Sequence, residues 1–150
     1  LFVDVDHFKQ LNDTYGHPFG DHVLKQIAAR LKESTRVTDI LARYGGEEFV
    51  ILVHQPTERG IAALTERIRA RVAAEPFTLR EQAVQVTCSL GSAIAIPGRR
   101  DRNIGDRLIT AADQALYRAK AEGRNRVCSD TLISEVDREF QRQINSHRFS

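Results

Sequence analysis

The sequence predicts an α+β fold, a single antiparallel sheet of split ferredoxin-like order backed by helices. Three observations carry that expectation. Short apolar strands alternate with amphipathic helical stripes, two strands meet at a Gly-Gly turn, and the elements run strand, helix, strand, strand, helix, strand, helix. With 150 residues, 41% hydrophobic and 28% charged, the chain has the length and balance to close one core.

Residues 1–5, Leu-Phe-Val-Asp-Val, read as a strand already under way, and with no Met in the chain they suggest a piece of a longer protein. From Gly20, the apolar residues Val23, Leu24, Ile27 and Leu31 recur at helical spacing. They predict a helix of about four turns ending near Ser34-Thr35, with Asp21 in its first turn, where the helix dipole favours an acid. Residues 40–44 and 49–53 are apolar runs joined by Gly45-Gly46-Glu47-Glu48, a hairpin pattern. Pro56-Thr57 opens a second helix with the inner stripe Ile61, Leu64, Ile68 and Val72, closed before Pro76. Val84, Val86, Cys88 and Leu90 alternate with polar residues and continue through Ile94 and Ile96, which predicts one long strand or a strand bent at Gly91. A third helix carries Leu108, Ile109, Ala112, Leu116 and Ala119 and ends at Gly123; Arg126-Val127 follows as a last short strand. The domain proper is residues 1–128. Residues 129–150 repeat apolar positions at Leu132, Val136, Phe140 and Ile144 and predict an added helix.

Composition narrows the function classes. The net charge is only +2, and the Arg-rich stretches Arg99-Arg100-Asp101-Arg102 and Arg124-Asn125-Arg126 lack interleaved aromatics, which argues against a nucleic-acid surface. Cys88 and Cys128 form neither a metal-ligand cluster nor a disulfide framework, so a reducing, cytoplasmic setting fits best. No apolar run reaches the roughly 18 residues of a membrane span. No membrane contact is therefore expected of these residues, and any tether belongs to the upstream part of the parent protein.

Chemistry concentrates in two acidic clusters. Asp4 and Asp6 stand at the end of the first strand, and Glu47 and Glu48 stand in the hairpin turn. In a sheet of this order the two strand ends can lie side by side. Hard carboxylate oxygens there suit Mg²⁺ held by one or two acids, with water and nucleotide phosphate completing its shell. Two such ions would neutralise a triphosphate and bring a hydroxyl up to an α-phosphate. The plainer alternative is that the aspartates cap the next helix and residues 45–48 form a solvent turn. A turn needs Gly or Asn, but it has no need of two adjacent acids between Tyr44 and Phe49.

The string Arg43-Tyr44-Gly45-Gly46-Glu47-Glu48-Phe49 resembles the defining motif of the GGDEF family in its GGEEF form. Asp4-Val5-Asp6-His7-Phe8-Lys9, Asn12-Asp13, Gly16-His17 and Gly20-Asp21 resemble the family's first block, and Asp113, Ala119-Lys120 and Gly123-Arg124-Asn125 continue the match to residue 128. The resemblance implies a palm-type, nucleotidyl cyclase-like sheet and a diguanylate cyclase that condenses two GTP into cyclic di-GMP. It implies Asp4, Glu47 and the carbonyl of Val5 as ligands of Mg²⁺ or Mn²⁺, and Glu47 also as general base for the 3′-hydroxyl. Glu48, Gly45 and Gly46 would complete the catalytic turn, the glycines letting it come close to the phosphates.

By the same resemblance, Phe8 and Lys9 offer backbone N–H groups to the β- and γ-phosphates, and Lys120 and Arg124 add cationic contacts. Asn12 and Asp21 would select guanine. A carboxylate accepts from guanine N1–H and N2–H₂, whereas adenine presents an unpaired acceptor, so GTP is expected over ATP. His17 either borders the base or fixes the loop. One domain holds half a site, so a homodimer is implied for catalysis, as is a regulatory domain upstream. The family's usual opening helix and D-x-L-T segment are not among these residues.

Arg36-Val37-Thr38-Asp39, five residues ahead of Gly45, resembles the family's R-x-x-D motif for inhibition by cyclic di-GMP, and Arg67 matches a further residue of that site. Arg can pair bidentately with guanine O6 and N7. At roughly 3.3 Å per strand residue, the motif stands about 20 Å from the acidic turn and forms a distinct site. Two rival readings remain: a module that binds cyclic di-GMP or GTP without catalysis, and another two-metal nucleotidyl transferase on a similar sheet. Retention of Asp4, Glu47 and Glu48 favours an enzyme over the first; Asn12, Asp21 and the R-x-x-D pair argue against the second.

Overall fold

A computed structural model describes residues 1–95 and 103–132. The elements run β1 (Phe2–Val5), α1 (Phe8–Tyr15), α2 (His17–Ser34), β2 (Ile40–Arg43), β3 (Glu48–Leu52), α3 (Glu58–Ala74), β4 (Phe77–Leu79), β5 (Gln82–Val84), β6 (Cys88–Ala95), α4 (Ile104–Ala121) and β7 (Val127–Leu132). A five-stranded sheet has the order β2-β3-β1-β6-β7, and β4-β5 form a separate small hairpin. The α+β sheet backed by helices is therefore as expected. One pairing departs from it: β7 lies parallel to β6, because α4 crosses over between them.

β1 is central, antiparallel to both β3 and β6. Successive side chains of a strand leave on opposite faces. Val3 and Val5 join the main core with Phe19, Ile27 and Leu31 of α2, Ile68 and Val72 of α3, and Ile51 and Leu90 of the sheet. Phe2 joins Ala112 and Leu116 of α4 in a smaller layer. At Gly91 that helix lies directly on β6: a Cβ there would stand 2.2 Å from Ala112 O and 2.2 Å from Leu116 N. The expected feature at Gly91 is thus a close approach of helix backbone rather than a bend.

Several elements differ from their sequence pattern. Residues 8–15 form a two-turn helix that the periodicity leaves unmarked, and Gly16, at φ 85° and ψ 157°, both ends it and starts α2. With Pro18 in its opening turn, α2 begins at His17 and not near Gly20, so Asp21 lies one turn further in than expected. Val84 belongs to the β4-β5 hairpin, and residues 85–87 belong to no strand, so the long strand begins only at Cys88. Val86 is nonetheless buried, which explains why its alternation looks strand-like. β7 continues to Leu132, so the stripe assigned to an added helix does not begin there. Its remaining positions Val136, Phe140 and Ile144, like Ile96 and the Arg99–Arg102 stretch, lie outside the described residues. Among the described residues, no helix is long and apolar enough to cross a membrane.

Candidate active site

The β1–β3 ladder sets Asp4 directly opposite Glu48, and Val5 N donates to Glu47 O at 3.3 Å, so the two acidic stretches lie side by side. Asp4 shares its face with Phe2 and so points toward α4. There Lys120 Nζ meets Asp4 Oδ2 at 2.6 Å. Burial pushes the Asp4 carboxyl above its ordinary value of 3.8; Lys120 pulls it back, and Glu47 and Glu48 push it up again. Burial is the leading cause, and the neighbouring carboxylates add to it.

Asp6 stands apart from this cluster. It is buried, and its carboxylate accepts from Thr87 Oγ1 and Ser89 Oγ, each at 2.7 Å, and from Asn125 N at 3.0 Å. The expected four-acid group is in fact Asp4 with Glu47 and Glu48. Among the described residues, no three His, Cys, Asp or Glu side chains converge as a ready-made metal cage. Two carboxylates and a backbone carbonyl nonetheless suit a hard cation that takes its remaining ligands from phosphate and water.

The hairpin turn is braced from within. Tyr44 N and Gly45 N donate to Glu48 O, while Arg43 Nε donates to Gly45 O and Gly46 O and its Nη2 to Gly46 O at 2.7 Å. This bracing by Arg43 is a positioning function that the motif string alone does not disclose. A Cβ at Gly46 would meet nothing within 4 Å, and one at Gly45 would stand 3.1 Å from Glu48 Oε2, so the turn presents an open backbone. Just beyond β1, Phe8 and Lys9 are the first residues of α1, where backbone N–H groups have no intrahelical acceptor.

Asn12 of α1 packs against Gly20 of α2, where a Cβ would fall 1.9 Å from Asn12 Oδ1. That oxygen is buried and makes no hydrogen bond. Asp21 is exposed and lines an open cleft of about 470 Å³ with Leu24, Lys25, Leu41, Arg43 and Phe49. His17 is exposed at the start of α2. Arg124 is exposed in the turn after α4, at a left-handed φ of 62°.

Arg36, Asp39 and Arg67 line one cleft of about 220 Å³ between the α2–β2 connection and α3. Asp39 is buried and accepts from Arg36 N at 2.9 Å and from His54 N at 3.4 Å, so its carboxylate already holds this loop together. Arg67 Nη2 donates to Ser34 O at 2.8 Å, tying α3 to the end of α2.

Comparison with known proteins agrees with this geometry. The family model described as diguanylate cyclase, GGDEF domain, matches residues 1–126. The diguanylate cyclase DgcP of Pseudomonas aeruginosa is 44% identical over 125 residues, 83% of this chain and 18% of that protein. The chain spans well under half the length of the curated relatives it matches. The GGDEF domain of DgcB from Caulobacter crescentus, solved in complex with c-di-GMP, superposes with a TM-score of 0.78 at 35% identity, covering 85% of this chain and 74% of that one. The active GGEEF domain of a diguanylate cyclase from Vibrio cholerae gives 0.75 at 36% identity, covering 85% and 79%. The sheet order, the acidic hairpin beside Asp4 and these likenesses together identify the chain as a member of the diguanylate cyclase GGDEF-domain family.

Proposed function

We propose that this domain is a diguanylate cyclase that joins two GTP into cyclic di-GMP across a pair of copies. The observation that carries this reading is the placement of Asp4 against the Glu47-Glu48 hairpin, with Lys120 on the same carboxylate. Asp4, Glu47 and the Val5 carbonyl would hold Mg²⁺ or Mn²⁺. Such ions, when bound, neutralise triphosphate charge and lower the pKa of the attacking hydroxyl.

The chain's own groups account for the rest. The first-turn N–H groups of Phe8 and Lys9 receive the terminal phosphates, and Arg124 grips them with its planar fork. Lys120, which pairs with Asp4, would add its point charge to the same phosphates. Glu47 accepts the 3′-hydroxyl proton. The 3′-oxygen then bonds to the partner's α-phosphorus as the bond to the β-phosphate bridge breaks and pyrophosphate leaves; the same step in the opposite sense closes the ring. Asn12 Oδ1, buried without a partner, and Asp21 at the mouth of the neighbouring cleft supply acceptors for guanine. His17, exposed at the same helix start, borders the base. A cytoplasmic location follows from a GTP substrate.

Incubation with GTP or ATP in Mg²⁺, followed by chromatography of the products, tests this reading. Cyclic di-GMP and pyrophosphate from GTP alone are expected. No product from either nucleotide would leave a binding module instead, and a cyclic mononucleotide would mark a different cyclase.

We further propose that Arg36, Asp39 and Arg67 receive cyclic di-GMP as an inhibitor. The support is their convergence on one cleft away from the acidic hairpin. Because Asp39 holds its own loop, Arg36 and Arg67 carry the recognition and Asp39 the shape.

A further inference from the structure

Asp6 is the acid that the acidic cluster leaves out. It accepts two side-chain hydrogen bonds, from Thr87 just ahead of β6 and from Ser89 within it, and its own N–H donates to Thr87 O at 3.0 Å. Its third bond comes from a distant part of the chain, the backbone N–H of Asn125. That N–H lies in an unusual turn. Gly123, Arg124 and Asn125 have φ of 117°, 62° and 46°, three successive residues in the left-handed region, two of them with side chains. L residues avoid that region, so such a turn persists only where its surroundings over-determine it.

The surroundings here do so. Arg124 N donates to Ala119 O at 3.0 Å, and Leu90 N donates to Arg126 O at 2.9 Å. Arg69 Nη1 donates to Asn125 Oδ1 at 2.9 Å while Glu66 holds the same guanidinium. Asp6 adds a buried carboxylate from the very strand end that carries Asp4. The end of β1 and the residue after it therefore grip the last turn of α4 and the turn beyond it, through Lys120 on Asp4 and through Asn125 N–H on Asp6.

We propose that Asp6 is a positioning residue: its buried carboxylate holds residues 123–125 in their left-handed turn and so fixes Arg124 where it meets the triphosphate. This role rests on the reading of Arg124 given above. A carboxylate suits it because its two oxygens serve three donors at once, whereas an amide offers one acceptor oxygen. Asp6 acts on phosphate recognition through Arg124, not on the base.

Calorimetric titration of the 150-residue chain with a methylene-bridged GTP analogue and with GMP tests the assignment, using Asp6→Ala, Asp6→Asn, Arg124→Ala and the double variants. Asp6→Ala should weaken the analogue about tenfold and GMP under about twofold, with Asp6→Asn between wild type and Asp6→Ala. In the Arg124→Ala background neither Asp6 change should cost anything further. Equal weakening of both nucleotides, additive losses or an unchanged affinity for the analogue would overturn the role. If Asp6→Ala does not fold, Asp6→Asn is judged by the same three criteria. A wild-type chain that binds neither nucleotide sinks the functional reading itself, and this role with it. Wild-type binding matched by the Asp6 variants sinks this role alone.

Discussion

At Asp4, function and stability pull in opposite directions. Its carboxyl sits above the ordinary 3.8 through burial and two neighbouring glutamates, and Lys120 offsets part of that. A raised acid contributes stability below its unfolded value and loses that contribution as pH rises through the folded one. Ionising this buried carboxyl therefore costs the fold stability. Asp4→Asn should melt no lower than wild type at pH 7, by calorimetry, while cyclic di-GMP synthesis falls by about a thousandfold. Lys120→Met should move the Asp4 titration upward, followed by carboxyl NMR, and shift the acid limb of activity to higher pH. Residue types and spacing made Asp4, Glu47 and Glu48 legible in the sequence, because a hairpin and a strand end are local patterns. Asp6 was misassigned to the same cluster, since its partners Thr87, Ser89 and Asn125 are far away in the chain and only the fold brings them to it.

Among the elements, those with long apolar stripes were readable and those of two turns or three residues were not. Helices α2, α3 and α4 each run four or more turns with an apolar stripe along one face, and the β2–β3 hairpin carries its own glycine signal. α1 has only Phe8 and Leu11 buried, too few positions for a period to show. Residues 85–87 alternate like a strand because Val86 is buried, yet burial alone does not provide a pairing partner. The alternation marks Gly91 as a break, but its cause is the backbone of α4, which no local pattern contains. Gly91→Ala should therefore destabilise the domain by at least about 2 kcal/mol in urea unfolding, since the backbone atoms of Ala112 and Leu116 cannot yield as a side chain would. Thr57 caps α3 by accepting from Gly60 N at 3.0 Å, and Thr57→Ala should cost about 1 kcal/mol in the same measurement.

The molecule as a whole sets two candidate sites on one framework. The acidic hairpin lies at one end of β3 and the Arg36–Arg67 cleft beyond the other, so strand β3 connects them. Arg36→Ala should weaken inhibition by added cyclic di-GMP at least about tenfold while initial rates at zero product stay within about twofold, as read from progress curves. On the proposed reading a single copy presents one set of triphosphate contacts, whereas cyclic di-GMP contains two guanosines joined by two phosphodiester bonds. Turnover should therefore need two copies face to face. The most direct measurement is cyclic di-GMP and pyrophosphate formed per subunit from GTP, followed as the protein is diluted through its dimer dissociation constant. Output per subunit that falls steeply on dilution, with two pyrophosphates for each cyclic di-GMP, is the predicted result. Output that stays flat, or GTP that yields no cyclic di-GMP at any concentration, would contradict it.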